Sequence, residues 1–375
     1  MKKASNGSIN SYQLAIAANF GQKSVLEDED HQPGNKKQAQ SRKQIIIGVA
    51  FVIAIAVCTA GATQFGKDLY EEGNFTSTSL VAWSSRSMAV FIYPAVSIFY
   101  TFRGQSHRET YKQASEIFGQ HRHGVMPAFL RLIPITALST GATYLSFYAL
   151  RYTSSTDVTA VFSASAAIVY VLSLLVLNEP FVVLRFLAVL MSVAGVVVIA
   201  YSEGFGSFGA IGVILVSGSA AFAAVYRVLT KKVIGEASLA RASLYLSVTC
   251  FQALILFWIP IPILYFTGVE EITFSTFPWT AFFPCIFTLF LYSILMILGI
   301  NFTYPIYMSM GPLLGIPINA AIDVLVRNQT FSTTKIIGTM LLILGFLILT
   351  IPLSNILAIS SKTKLLLCKK KKNLK

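Results

Sequence analysis

The sequence predicts an all-α membrane protein of about ten transmembrane helices, arranged as two five-helix halves inverted against each other. Three observations carry this reading. Hydrophobic residues make up 55% and charged residues 12% of 375 positions, too apolar a balance for one soluble domain of that length. The apolar residues fall in runs of roughly twenty, the length that crosses a bilayer core at ~1.5 Å per residue. Finally, a shift of 150 lays Asn178-Glu179-Pro180-Phe181 over Asn328-Gln329-Thr330-Phe331, Arg185 over Lys335 and Gly195 over Gly345. Internal similarity of this kind marks the inverted halves of secondary carriers.

Residues 1–44 are polar, with Glu27-Asp28-Glu29-Asp30 followed by Lys36, Lys37, Arg42 and Lys43, which reads as a disordered cytosolic tail. No cleavable signal is expected, because the first apolar run begins at Ile45. Spans then follow near 45–65, 80–102, 127–149, 155–177 and 181–201, the first repeat (45–201). The second repeat (208–357) places them near 208–230, 242–266, 279–300, 303–326 and 335–357. The break at Asn178-Glu179-Pro180 is too short to host a domain, so its flanking runs form an antiparallel hairpin. A weaker match at a shift of 164 sets Gly48-Val49 over Gly212-Val213, Lys67 over Lys231 and Glu72 over Glu236. Residues 358–375 form a basic cytosolic tail.

Charge sets the orientation. With the N-terminus inside, 24 of the 29 lysines and arginines fall on cytosolic segments and their flanks, so both termini are expected in the cytosol. Asp68, Glu71, Glu72, Glu203, Glu270 and Glu271 then gather in outer loops, and Trp83, Trp258 and Trp279 lie near outer helix ends. The net charge of +13 follows from this topology, and its dispersal argues against nucleic-acid binding. Lys369 to Lys372 suit anionic lipid or serve as a topology anchor. Of four glycosylation sequons, Asn74 and Asn328 lie outside. The ending places no dilysine signal, and the sequence does not separate plasma membrane from Golgi or another endomembrane.

Several motifs carry no chemistry. Gly204-Phe205-Gly206-Ser207-Phe208-Gly209 spells a dinucleotide fingerprint but follows a membrane helix and has no acidic residue about twenty positions on. His107, His121 and His123 read as solvated loop histidines, and Cys58, Cys250, Cys285 and Cys368 share no metal-ligand spacing. No span carries a catalytic cluster. A carrier with no cofactor and no metal is therefore expected rather than an enzyme.

Polar groups inside the membrane are costly and face a cavity or a partner. Asp157 lies one turn into the fourth span and Asp323 one turn from the end of the ninth. Facing one cavity, they would attract a cation or hold a coupling proton between them; alternatively, Asp157 caps its helix and Asp323 pairs with Arg327 at i+4. Arg86, one turn into the second span, is the expected counter-charge. Glu179 belongs to the inner break, and Arg227 reads as a snorkelling inner residue. The ninth span holds Pro305, Gly311, Pro312, Gly315 and Pro317, so it is expected to be kinked or unwound. That break either exposes carbonyls to a cavity or serves packing. Tyr304, Ser309 and Asn319 would add hydrogen bonds, and Tyr144, Tyr170 and Tyr304 aromatic faces for a cation.

Residues 45–355 resemble the drug/metabolite transporter superfamily, and within it solute carrier family 35, subfamily F, whose members include thiamine transporters. The resemblance is carried by Ala149-Leu150-Arg151-Tyr152-Thr153-Ser154-Ser155-Thr156-Asp157-Val158-Thr159-Ala160, Leu177-Asn178-Glu179 and Ala200-Tyr201-Ser202-Glu203-Gly204-Phe205. Thr303-Tyr304-Pro305, Ser309, Gly311, Pro317 and Asn319-Ala320-Ala321-Ile322-Asp323 extend it. It implies a ten-helix inverted-repeat carrier that rocks around a central site, with Asp157 and the ninth helix at the outer gate. Such relatives carry an Asn-Lys pair midway along the fourth span where this chain has Ser165-Ala166, a loss that disfavours phosphate and suits a cation. The expected solute is thiamine or a related organic cation. Nucleotide-sugar antiport in the Golgi is the alternative, served by Arg86 and Arg227, and a non-transporting receptor or scaffold is a further one.

Overall fold

The computed structural model describes residues 34–350 apart from 73–74, 103, 105, 120–124, 177–180, 204–206, 235–238, 273–276 and 303–304. Within helices, only the backbone is described for 34–45, 72, 113, 116–119, 125–128, 297, 300–302, 305–309 and 350. The regular structure among these residues is helical throughout. In chain order the helices are α1 (Gly34–Glu72), α2 (Thr78–Met88), a 3-10 turn (Ala89–Phe91), α3 (Ile92–Phe102), α4 (His107–Gly119) and α5 (Val125–Ala149). They continue as α6 (Ser155–Ser163), α7 (Ser165–Val176), α8 (Val183–Glu203), α9 (Phe208–Ile234), α10 (Leu239–Leu256), α11 (Pro260–Phe266), α12 (Trp279–Phe302), α13 (Pro305–Leu325) and α14 (Thr333–Thr350). Six segments are long and apolar enough to cross a bilayer alone: 46–71, 155–176, 183–203, 208–234, 239–266 and 279–296. Residues 310–325 and 333–349 form shorter apolar helices.

Each apolar run read from the sequence is helical where described, apart from a turn over 257–259, but three differences have local causes. Helix α1 begins at Gly34, eleven residues before Ile45, so the end of the expected disordered tail is helical. The basic connection after α3 contains a further helix, α4. Its first turn carries Glu109, favourable at the positive end of a helix dipole, and its Ala114 is buried with Ala240 and Leu244 of α10. His107 is exposed, as expected, but opens α4 instead of lying in a loop, with its Nδ1 2.9 Å from Ser97 Oγ. His121 and His123 lie outside the described residues. The third difference corrects the broken ninth span: α13 runs unbroken from Pro305 to Leu325 with Pro312 and Pro317 inside it. A helical proline removes its own donor, here the bonds to the carbonyls of Met308 and Leu313, and its ring crowds the preceding turn, which bends a helix without ending it. Gly311 serves packing instead: a Cβ there would collide with Ile55 of α1, whereas one at Gly315 would make ordinary contact with Thr59 and Ala56.

Burial differs between helices: residues 155–161 of α6 are buried all round, whereas α8 is packed on one side only. On α8, Leu187, Leu190, Val193 and Val197 are exposed while Ala188, Ser192, Gly195 and Ile199 are buried. This is a helical stripe of each kind, the exposed one suited to lipid. Helix α8 packs along α14, α1 packs on α12 and α13, and α9 packs on α5, α6 and α7. Advancing the first half of the segments by five turns the α1 contacts into the α9 contacts. The α8–α14 contact maps onto itself. A Cβ at Gly195 would stand 2.8 Å from the Gly338 carbonyl, and one at Gly345 2.9 Å from the Ala188 carbonyl, and the 150-residue shift interchanges these two approaches.

Candidate functional site: buried charges at one end of the bundle

The end of the bundle where α6 begins is closed by buried charge. Ser154 is the N-cap of α6 and its Oγ accepts from Asp157 N at 3.1 Å, which places Asp157 at the third helical position. The Asp157 carboxylate is fully buried. Its Oδ2 accepts from Ser154 Oγ at 2.6 Å and Thr153 Oγ1 at 2.9 Å and lies 2.6 Å from Lys335 Nζ of α14. Its Oδ1 is buried with no hydrogen-bond partner. Lys335 also donates to Glu203 at the end of α8, at 2.9 Å. Ser154→Ala removes both the cap and one carboxylate donor, so we expect a loss of about 1–2 kcal/mol of stability, read as a lowered unfolding midpoint in detergent.

Asp323 sits beside this cluster. Its Oδ2 accepts from Thr156 N at 3.0 Å and Thr156 Oγ1 at 2.6 Å, and its Oδ1 accepts from Gln64 Nε2 at 2.9 Å. Arg327 Nε is 3.8 Å from Asp323 and donates to Gln64 Oε1 at 3.0 Å, while its terminal nitrogens pair with Asp68 and Glu71 of α1. Asn319, one turn earlier, donates to Thr159 Oγ1 at 2.7 Å and Thr63 Oγ1 at 2.9 Å. Lys67 caps the carbonyls of Leu150 at 2.6 Å and Thr153 at 3.1 Å. Helices α1, α6, α8, α13 and α14 are thus tied at one end through charge and amide groups.

Asp157, Asp323 and Asn319 come together through Thr156 and Thr159, while the other expected site residues scatter. Arg86 does not serve the aspartates. It lies near Tyr226, Tyr245 and Cys250 with its Nε and Nη2 buried and without a hydrogen-bond partner, and Lys335 and Arg327 take the expected role because helix packing puts them there. Tyr144 stacks on Tyr148, ring centroids 5.8 Å apart, near Glu270, which is buried against Ser79 N of α2 at 3.2 Å. Tyr170 lies at the opposite end, where its hydroxyl accepts from Val182 N at 2.9 Å and Arg185 lies 5.8 Å over its ring. These two tyrosines therefore belong to opposite ends and form no shared aromatic cage. Tyr304 and Glu179 lie outside the described residues, as does the Ser309 side chain; Pro305 opens α13. Arg227 also departs from expectation. Its Nη1 donates to Ser165 Oγ at 3.0 Å and its guanidinium lies 5.6 Å from the Phe162 ring.

The i+4 pairing of Asp323 with Arg327 read from the sequence is present at 3.8 Å, whereas sequence reasoning missed Lys335 and Gln64 as members of the cluster. The sole signal was the alignment of Lys335 with Arg185 in the internal repeat. Two cavities border this end. One of ≈ 450 Å³ is lined by Tyr70, Phe75, Thr76, Arg151 and Glu271, and one of ≈ 170 Å³ lies between α13 and α14, with Thr156, Pro317 and Lys335 on its wall. Among the described residues no group of three potential metal ligands clusters.

The arrangement of apolar helices tied by intramembrane charge can be set beside known proteins. The EamA-like transporter family matches residues 46–201. Human solute carrier family 35 member F3 is 33% identical over 315 residues, covering 83% of this chain and 74% of its own length. The mouse protein of that name is 31% identical over the same shares. Human solute carrier family 35 member F4 is 31% identical over 314 residues, covering 82% of this chain and 59% of its own. This chain belongs to solute carrier family 35, subfamily F, of the drug/metabolite transporter superfamily, and is an integral multi-pass membrane carrier.

Proposed function

We propose that the chain is a secondary carrier working by alternating access, built of ten membrane spans as a five-plus-five inverted repeat (45–201 and 208–357) with both termini cytosolic. The observation that carries this is the charged seal of one end. Asp157 and Glu203 of the first half meet Lys335 of the second, and Gln64 and Asp68 of the first meet Asp323 and Arg327 of the second. A seam joined by exchangeable ion pairs can part as a unit, which suits a two-state gate between rocking halves. The reciprocal helix pairing supports the repeat, and the basic residues of the connections and tails support the orientation, which puts the sealed end outside.

Thiamine or a related organic cation is the proposed solute. Asp68, Glu71, Asp157, Glu203, Glu270 and Asp323 outnumber Lys67, Arg151, Arg327 and Lys335 at the seal, so an opened gate presents net negative charge to an entering molecule. The same carboxylates offer a place for a coupling proton. Uptake of labelled thiamine into proteoliposomes at two external pH values tests this. Saturable uptake should fall roughly tenfold, about 1.4 kcal/mol, in Asp157→Asn or Asp323→Asn while the unfolding midpoint shows each variant folded. Absence of flux above empty vesicles, with exchange of a nucleotide sugar in the same vesicles, would replace the cation by that class. Binding without flux would indicate a receptor or scaffold.

A further inference from the structure

Helices α13 and α14 are joined by a short turn over 326–332, yet each leans on other helices. Helix α13 packs along α1 and on α6, and α14 packs along α8 and on α6. The ≈ 170 Å³ cavity between them is therefore a groove with a lip and a floor. Pro317, Ile336 and Met340 form the lip and are exposed, whereas Ile316 and Thr156 at the inner end are buried. The lip continues the exposed row Leu314, Pro317, Ala321 and Val324 of α13 and the row Ile336, Met340 and Leu344 of α14. Both rows have helical spacing, so the groove opens from the lipid-facing surface and runs inward to the seal.

The polar groups on its wall are already bonded within the protein. Thr156 Oγ1 donates to Asp323, Thr339 Oγ1 donates to the Lys335 carbonyl at 3.0 Å, and Lys335 Nζ is held by Asp157 and Glu203. What the groove offers an occupant is apolar surface. Water would gain too few hydrogen bonds there, and an empty groove would forfeit the dispersion contacts of its lining. Its volume falls short of the roughly 300–1,000 Å³ that encloses a drug-sized molecule. A segment of hydrocarbon fits its shape: the wall from Lys335 to Ile343 spans eight residues, about 12 Å along the helix.

We infer that this groove is a lipid site, which takes an acyl chain from the leaflet at the sealed end, and that the bound acyl chain holds the seal closed. Thr156 and Lys335 are both on its wall, and they hold Asp323 and Asp157 respectively. Parting of the seal moves α14 away from α6 and takes the groove apart, so the lipid binds the sealed form in preference and shifts the population toward it. This locking role rests on the gate proposed above, whereas the lipid site does not. Selection is by the acyl chain and not by an anionic headgroup, because the one ammonium at the mouth is already matched by two carboxylates.

Full-length protein in vesicles of phosphatidylcholine, part of it carrying a photoreactive group within the acyl chain, provides the test, with adducts located by mass spectrometry. The parent should be labelled at buried Ile316 as well as at Leu190, which is exposed on α8. Ala320→Leu fills the groove and should lose most of the Ile316 adduct while keeping that at Leu190. Thr339→Leu narrows the groove from α14 and carries the comparison if the first variant does not fold. Ala321→Leu adds the same volume on the lipid face and should change neither adduct. Unlabelled phosphatidylcholine and phosphatidylglycerol of equal acyl length should compete equally. Adducts at Leu190 alone, or an Ile316 adduct that survives both groove-filling variants, overturn the site. Stronger competition by phosphatidylglycerol replaces it with a headgroup site on Lys335, and loss of the Ile316 adduct on adding thiamine assigns the groove to the solute. Removal of lipid in detergent should lower the unfolding midpoint of the parent more than that of Ala320→Leu; equal falls overturn the locking role and leave the lipid site standing. None of these measurements requires flux, so failure of the carrier reading leaves them interpretable.

Discussion

Lys335→Met is expected to cost about 3–5 kcal/mol of folding stability, the cost of leaving a buried partner charge uncompensated. The reason is the contrast between the two acids that Lys335 joins. The Glu203 side chain keeps 22% of its surface accessible and can regain water, whereas Asp157 keeps 1%. Removing the ammonium leaves Asp157 charged and buried, with Thr153 and Ser154 as its remaining donors. Adding Asp157→Asn to Lys335→Met should therefore recover most of the loss, because the amide needs no counter-charge and still accepts from both hydroxyls. The check is a double-mutant cycle on unfolding midpoints in detergent. A Lys335→Met cost below about 1 kcal/mol, the value of an exposed pair, would mean that the site is hydrated and the pair no seal. The same variant should speed labelling of a cysteine placed at Thr156, because the gate loses one of its ties.

Gly338→Ala is expected to destabilise by about 2–3 kcal/mol, the cost of an overpacked contact that cannot relax. Its new Cβ would lie 2.7 Å from Ile199 Cγ1, 3.0 Å from the Gly195 carbonyl and 3.1 Å from Ile199 N. The side chain can turn aside, but the two backbone atoms move only if α8 leaves α14. Small residues permit this close approach, which supplies van der Waals contact where lipid removes any hydrophobic advantage. Gly218→Ala serves as the contrast. Its nearest neighbour would be Leu145 Cδ1 at 3.7 Å, ordinary contact, so the helix preference for alanine should stabilise it by up to about 1 kcal/mol. Equal midpoint shifts for the two variants would show that the α8–α14 approach is not the constraint.

Much of the fold was legible because membrane helices are specified locally. Twenty apolar residues satisfy their backbone internally and can end only at polar breaks, so the runs from Ser155 to Val176 and from Val183 to Glu203 follow from composition and a short turn. The start of α6 was local too, since Ser154 and Asp157 are three residues apart. Helix α4 was missed because its burial against α10 depends on a partner more than a hundred residues away. The prolines of α13 misled for a related reason: their cost is local, but its toleration depends on how α1 packs against Gly311 and Gly315.

Within the candidate site, the sequence identified Asp157, Asp323 and Asn319 as buried polar groups, because a charge in an apolar run has few alternatives. Its choice of partners was right where the pair is local and wrong where it is not: Arg327 lies beside Asp323 one turn away on the same helix, whereas Asp157 meets Lys335 of α14 and not the expected Arg86, because the depth and facing of separate helices decide that contact. The same rotation turned Arg227 inward onto Ser165 and separated Tyr144 from Tyr170 by the length of the bundle. The sequence by itself determined which segments are apolar helices and which polar residues must be buried, since both depend on transfer from water over a few contiguous residues. Only the tertiary structure decided who neutralises whom, since an ion pair forms over a few ångströms between helices whose register is set by packing along their whole length.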